Sequence, residues 1–203
     1  TTPSGPPTPP TQKAQLPMKI LAFAATTSTT SINRQLIDYA TRLLDDGLVD
    51  DVEIEHIDLN DYEMPIYSID RQNESGIPQA AHDFFAKIGE ADAALISFAE
   101  HNGFYTAAYK NLFDWASRID MRVYQDKPAV LFSTSIGPGG GRTVLNTAVM
   151  SGQFFGYDVK ANLSIPSFHK NFDQVAGSLS NDDLDEQFRA ALTTLSETAG
   201  VPA

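Results

Sequence analysis

Residues 93–115 admit few folds: Ala-Ala-Leu-Ile-Ser-Phe-Ala-Glu-His-Asn-Gly-Phe-Tyr-Thr-Ala-Ala-Tyr-Lys-Asn-Leu-Phe-Asp-Trp. The segment opens as a short apolar run, breaks at Glu-His-Asn-Gly and resumes with a helical pattern. A run that brief, apolar on both parities, suits a strand buried on both faces, as in a parallel sheet. After the break, Ala108, Tyr109, Leu112, Phe113 and Ala116 recur three and four apart, the spacing of one helix face. Ala99 to Gly103 is therefore expected at the C-terminal end of a central strand, opening a helix. Open α/β sheets bind ligands at that end.

The flanking sequence repeats the same alternation. Met18 to Ala25 is a first buried strand, followed by a hydroxyl run from Thr26 to Ser31. Leu36, Ile37, Ala40, Leu43 and Leu44 then mark an amphipathic helix that stops at Gly47. Val52, Ile54 and Ile57 form a short alternating strand, and 66–78 a long irregular surface segment. Pro78 opens a helix with Ala81, Phe84, Phe85 and Ile88 inward. Lys127 to Ser133 is another buried strand, running into a glycine-rich turn and a helix over 143–154. Val159 to Ile165 is the last strand and 182–198 the last helix. Five strand–helix alternations predict one α/β domain over 18–200, a doubly wound five-stranded parallel sheet with helices on both faces.

Composition narrows what such a domain does. Acidic residues outnumber basic ones, 26 to 14, for a formal charge of −12. That field repels phosphate, which argues against nucleic acid and anionic membrane as partners. There is no cysteine, so disulfides, thiolate metal sites and thiol catalysis are excluded together. The four histidines are dispersed, and no metal site is expected. No apolar run reaches membrane-spanning length and the N-terminal residues have no secretory character, so a cytoplasmic protein is expected. Residues 1–17, rich in Pro, Thr and Ser, are expected to form a disordered tail.

Three strands, the first, third and fourth, end in unusual loops. In the flavodoxin-like strand order these strands are neighbours, so their loops line one crevice. The first loop offers hydroxyls before a helix N-terminus, an anion-binding arrangement. The second offers Glu100, His101 and Asn102, which suit the edge of a flat ligand. The third, Thr134-Ser-Ile-Gly-Pro-Gly-Gly-Gly141, offers glycines through which backbone N–H groups approach closely. Spacing excludes other phosphate motifs: Arg142 stands where a dinucleotide fingerprint needs its last glycine and where a P-loop needs lysine. No Gly-x-Ser-x-Gly elbow occurs.

These residues resemble the NADPH-dependent FMN reductase family of flavodoxin-like flavoproteins, with its quinone, chromate and azo-dye reductases. The family carries Gly-Ser-x-Arg-x-x-Ser-x-Asn in the first loop, then Pro-Glu-Tyr-Asn-Gly-Ser-Tyr-Pro continuing to Lys-Asn-x-x-Asp-Trp, then a glycine-rich loop. Here Ser31 and Asn33, Asn102-Gly103, Tyr105, Lys110-Asn111, Asp114-Trp115 and Ser135 to Gly141 match it. Ala99 and His101 replace the family's Pro and Tyr, and Ser28 stands where many members place an arginine.

The resemblance implies FMN as cofactor, with NADPH (or NADH) as hydride donor and a small-molecule electron acceptor. It places the phosphate on Thr26, Ser28, Thr30, Ser31 and Asn33. The ring falls against Ala99, Glu100, His101, Asn102 and Gly103, with Ser135, Ile136, Gly137, Gly139 and Gly140 on its other edge. The chemistry belongs to the cofactor, so no protein acid or base is assigned; His101 is the candidate modulator of acceptor protonation. Without the arginine, the phosphate contacts weaken and the ring contacts must carry much of the affinity, which predicts an exchangeable FMN. The family also implies a homodimer or homotetramer, with Phe104, Tyr105, Tyr109 and Trp115 as interface candidates. Two rival readings on this fold are a flavodoxin-like electron carrier and a flavin-free ligand sensor.

Overall fold

The computed structural model describes residues 16–196. The expected tail, through residue 15, and positions 197–198 of the expected last helix lie outside them; within them that helix ends at Thr193.

The elements run β1 (Met18–Ala24), α1 (Ile32–Leu43), β2 (Val52–His56), α2 (Ile69–Ser75), α3 (Gln79–Glu90) and β3 (Ala93–Phe98). They continue with β4 (Glu100–His101), β5 (Phe104–Tyr105), α4 (Ala107–Ala116), β6 (Lys127–Thr134), α5 (Arg142–Phe155) and β7 (Tyr157–Ile165). The chain ends with α6 (Phe168–Asn171), β8 (Phe172–Asp173), β9 (Ser178–Leu179) and α7 (Asp182–Thr193). The main sheet has five strands in the order β2-β1-β3-β6-β7, all parallel. The crevice strands β1, β3 and β6 are thus adjacent, as the flavodoxin-like order requires.

Strand alternation divides the core into two layers. Ile20, Ala22, Leu95, Val130 and Phe132 face α1 and α7, packing on Leu36, Ala40, Phe188 and Leu192. Leu21, Phe23, Ile96 and Leu131 face the other way, onto Phe84, Tyr109, Leu112 and Leu145 of α3, α4 and α5. Every residue of β3 is buried, in keeping with its unbroken apolar run. Each side chain of that strand has a helix above or below it.

Three local expectations are corrected. The segment 66–78 contains a two-turn helix, α2, which buries none of its residues and so has no apolar stripe to reveal it. Its ends are marked instead: Ser68 accepts the Arg71 N–H, and Gly76 ends it at φ 76°. Second, Ala99 to Gly103 does not open a helix. A hairpin, β4–β5, intervenes, and α4 starts only after Thr106, its N-cap. The cause is Asn102-Gly103, both left-handed at φ 53° and 78°, the geometry of a tight two-residue hairpin turn. Third, between β7 and α7 lie a short helix and a second hairpin, β8–β9, that no periodicity announced. Of the interface candidates, Tyr109 and Trp115 are core, each 1% exposed, whereas Phe104 is 44% exposed.

Candidate functional site

The three loops meet at the C-terminal end of β1, β3 and β6. In the first, Thr26 is buried and its Oγ1 accepts the Ser28 N–H at 3.2 Å, tightening the turn. Ser28 and Thr30 are exposed and Ser31 half-buried, where it caps α1 by accepting the Asn33 N–H at 3.1 Å. The N–H groups of Thr29, Thr30 and Ile32 have no partner among the described residues. A helix N-terminus with open amides and exposed hydroxyls is an anion site in waiting.

Asn33 does something else. Its side chain is buried; Oδ1 accepts from Ser97 Oγ at 2.8 Å and from the Thr134 N–H at 3.1 Å, while Nδ2 donates to the Thr134 carbonyl at 3.2 Å. One amide therefore joins α1 to the ends of β3 and β6. Its place is between the loops rather than on their open face.

The second loop is the hairpin. Ala99 is buried at the strand exit, while His101 and Asn102 are exposed at the tip. Glu100 turns inward: its Oε2 accepts the Val144 N–H at 3.0 Å, in the first turn of α5. Helix α5 has glycine, Gly141, at its N-cap and no capping side chain of its own. A carboxylate from another loop fills that position, where the helix dipole favours it. Tyr105 roots the hairpin, its ring 5.5 Å from Phe98 and 5.0 Å from Tyr109.

In the third loop, Gly140 lies against β7 at φ 61°, and a Cβ there would come within 2.4 Å of Ser164 Oγ. Only glycine fits. Its carbonyl accepts from Ser133 Oγ at 2.8 Å and Ser164 Oγ at 3.0 Å. The carbonyls of Ser135 and Gly137 accept the N–H groups of Phe168 and Ser167 at 3.0 and 2.9 Å, tying the loop to α6. Gly137 and Gly139 face open space, Ile136 is 74% exposed, and the N–H groups of these three have no partner among the described residues.

Three sets of contacts not foreseen from the sequence hold this arrangement. Thr106 Oγ1 donates to the Ala25 carbonyl at 2.9 Å, joining second loop to first. Asp58 accepts from the Asn60 N–H at 3.0 Å and from Arg34 Nη2 at 2.7 Å, and Asn60 Nδ2 donates to the Thr27 carbonyl at 3.1 Å. Burial pushes the Asp58 carboxyl up, but these hydrogen bonds outweigh it and hold it below the usual range. The third set is the motif after the hairpin. Asn111 Nδ2 donates to the Met64 and Pro65 carbonyls and its Oδ1 accepts the Tyr67 N–H, while Trp115 Nε1 donates to Pro65 at 2.7 Å. Asn111 and Trp115 thus strap 64–67 onto α4. No periodicity could reveal the Asn111 and Trp115 contacts, because their partners are 44 to 50 residues away.

No group of three or more His, Asp or Glu is placed to hold a metal ion among the described residues. No helix there is long and apolar enough to cross a membrane.

A parallel sheet of this order, with a tied crevice of hydroxyls, amides and glycines at its switch point, defines a flavodoxin-like ligand-binding domain. The NADPH-dependent FMN reductase model matches residues 18–170, and the chain belongs to that family. It is 34% identical over 126 residues to the NADPH:quinone oxidoreductase of Arabidopsis thaliana, covering 62% of this chain and 62% of that one. It is 33% identical over 130 residues to the NAD(P)H:quinone oxidoreductase of Solanum tuberosum, covering 64% and 65%. The matched region spans a little under two thirds of these relatives' length. Among solved structures, the FerB NAD(P)H:(acceptor) oxidoreductase of Paracoccus denitrificans superposes with a TM-score of 0.69 at 20% identity, covering 89% of this chain and 96% of that one. That likeness is one of fold.

Proposed function

We propose that this chain is an NAD(P)H-dependent, FMN-containing oxidoreductase that delivers electrons to a small quinone-type acceptor. The observation that carries the reading is the first loop, where exposed Ser28 and Thr30 and the open N–H groups of Thr29, Thr30 and Ile32 surround a helix N-terminus. The donor set suits a phosphate monoester held without a fixed cation. The hairpin from Ala99 to Gly103 and the open N–H groups at Ile136, Gly137 and Gly139 suit the two edges of a flat ring rich in acceptors.

FMN, when bound, supplies the hydride and electron chemistry. The chain's residues bind and orient. Ser28, Thr30 and Ser31 take the phosphate; Thr26 and Asn33 shape the loop from within; Glu100 fixes the hairpin; Gly140 seats the third loop. His101, exposed at the hairpin beside the ring's edge, is the side chain available to exchange a proton with an acceptor. A second copy of this chain is the expected partner. Met150 and Phe154 stand 78% and 74% exposed on α5, within a stretch, 127–157, free of Asp and Glu. Two chains of charge −12 repel least across such a face.

Purification with added FMN, followed by anaerobic NADPH, tests the activity. Rapid bleaching of bound flavin supports the oxidoreductase. Bound flavin that stays oxidised would make the chain a carrier, and failure to bind FMN would end the reading. Light scattering on the purified protein tests the dimer.

A further inference from the structure

The cations of this acidic chain are almost all committed. Of 14 Lys and Arg, Lys13 lies outside the described residues, leaving 13. Eleven of these direct the side chain at a carboxylate, a carbonyl or a hydroxyl. Among the described residues, Arg142 and Lys170 alone have no side-chain partner, and both are exposed. They flank the same loop. Arg142 follows Gly141 directly, and Lys170 lies in α6, whose start is bonded to the carbonyls of Ser135 and Gly137. With 26 acidic residues in the chain, two cations without side-chain partners on elements that flank one glycine-rich loop offer positive charge to an anionic ligand. Glu100, which reaches the first turn of α5 from the hairpin, accepts the Val144 N–H and forms no ion pair with Arg142.

We propose that Arg142 and Lys170 receive the 2′-phosphate of the reduced dinucleotide and so make this chain select NADPH over NADH. The assignment rests on the oxidoreductase reading above. In that reading the FMN phosphate is held by the start of α1, which leaves the third loop's cations for the other anionic ligand. NADPH differs from NADH by one phosphate monoester, and a guanidinium beside an ammonium suits such a group.

The test is equilibrium binding of NADP+ and NAD+ to the FMN-loaded protein by calorimetry, for wild type, Arg142→Ala, Lys170→Ala and the double variant. Lys160→Ala, whose cation pairs with Asp158 on β7, serves as control. Each crevice substitution should weaken NADP+ by about three- to tenfold, the double variant by at least tenfold, and NAD+ by less than about twofold. The NADP+ advantage should shrink with added salt, and in turnover the loss should fall in KM for NADPH rather than in kcat. Unchanged NADP+ binding in the double variant, or equal losses for both dinucleotides, would overturn the assignment. A wild-type protein that retains FMN but fails to discriminate the dinucleotides sinks this inference alone. One that retains no FMN and binds neither sinks the functional reading as well.

Discussion

Two helices point their N-termini toward the crevice, and they end differently. Helix α1 is capped by its own Ser31, and the N–H groups of Thr29, Thr30 and Ile32, beside exposed hydroxyls, have no partner among the described residues. Helix α5 begins after glycines with no cap of its own, and Glu100, reaching from the hairpin, occupies its first turn. One end awaits an anion; the other already has one. A helix N-terminus in sequence therefore says little about ligand binding until the carboxylates of neighbouring loops are placed. Here that placement supports the proposal that phosphate goes to the first loop and that the glycine-rich loop takes ring edges and dinucleotide.

The sharpest way to break the contrast is to give α1 what α5 has. Ser28→Asp should lower FMN affinity by about a hundredfold or more, since a carboxylate would repel the phosphate and take its amides. Titration of apoprotein with FMN by fluorescence quenching measures it, and affinity unchanged by the carboxylate would place the phosphate elsewhere. Next in size is the buried tie between the loops. Asn33→Ala leaves the Thr134 N–H and the Ser97 hydroxyl buried without their partner and should cost about 2–4 kcal/mol in urea unfolding.

Glu100→Ala, which opens the α5 terminus, should cost about 1–2 kcal/mol by the same measurement. Glu100→Gln should restore part of it, because the amide oxygen still accepts the Val144 N–H. The smallest effect is a pH dependence. Asp58 is held below the ordinary carboxylate range, so its contribution is full above its unfolded pKa and is lost as pH falls through the lower folded value. Acid unfolding of wild type and Asp58→Asn should therefore converge at low pH and separate toward neutrality.

The hairpin shows how local and distant information divide. Asn102-Gly103 states its turn in two residues, and the structure follows that signal over the helical pattern beginning five residues later. The pattern was real, but its register began at Ala107. Glu100 was identified as a crevice residue from its position alone, yet its partner, Val144, is 44 positions away. The same holds for Asn33, whose motif position suggested a phosphate contact and whose contacts are 64 and 101 residues distant.

By itself the sequence determined the parallel sheet, the three loops at its switch point and the family, because these rest on local periodicity, turn chemistry and short-range spacing. Tertiary structure alone decided which polar residues stay open at the crevice and which are spent holding the loops together. A side chain has few hydrogen-bonding atoms, and only the folded chain brings in the distant partners that use them up.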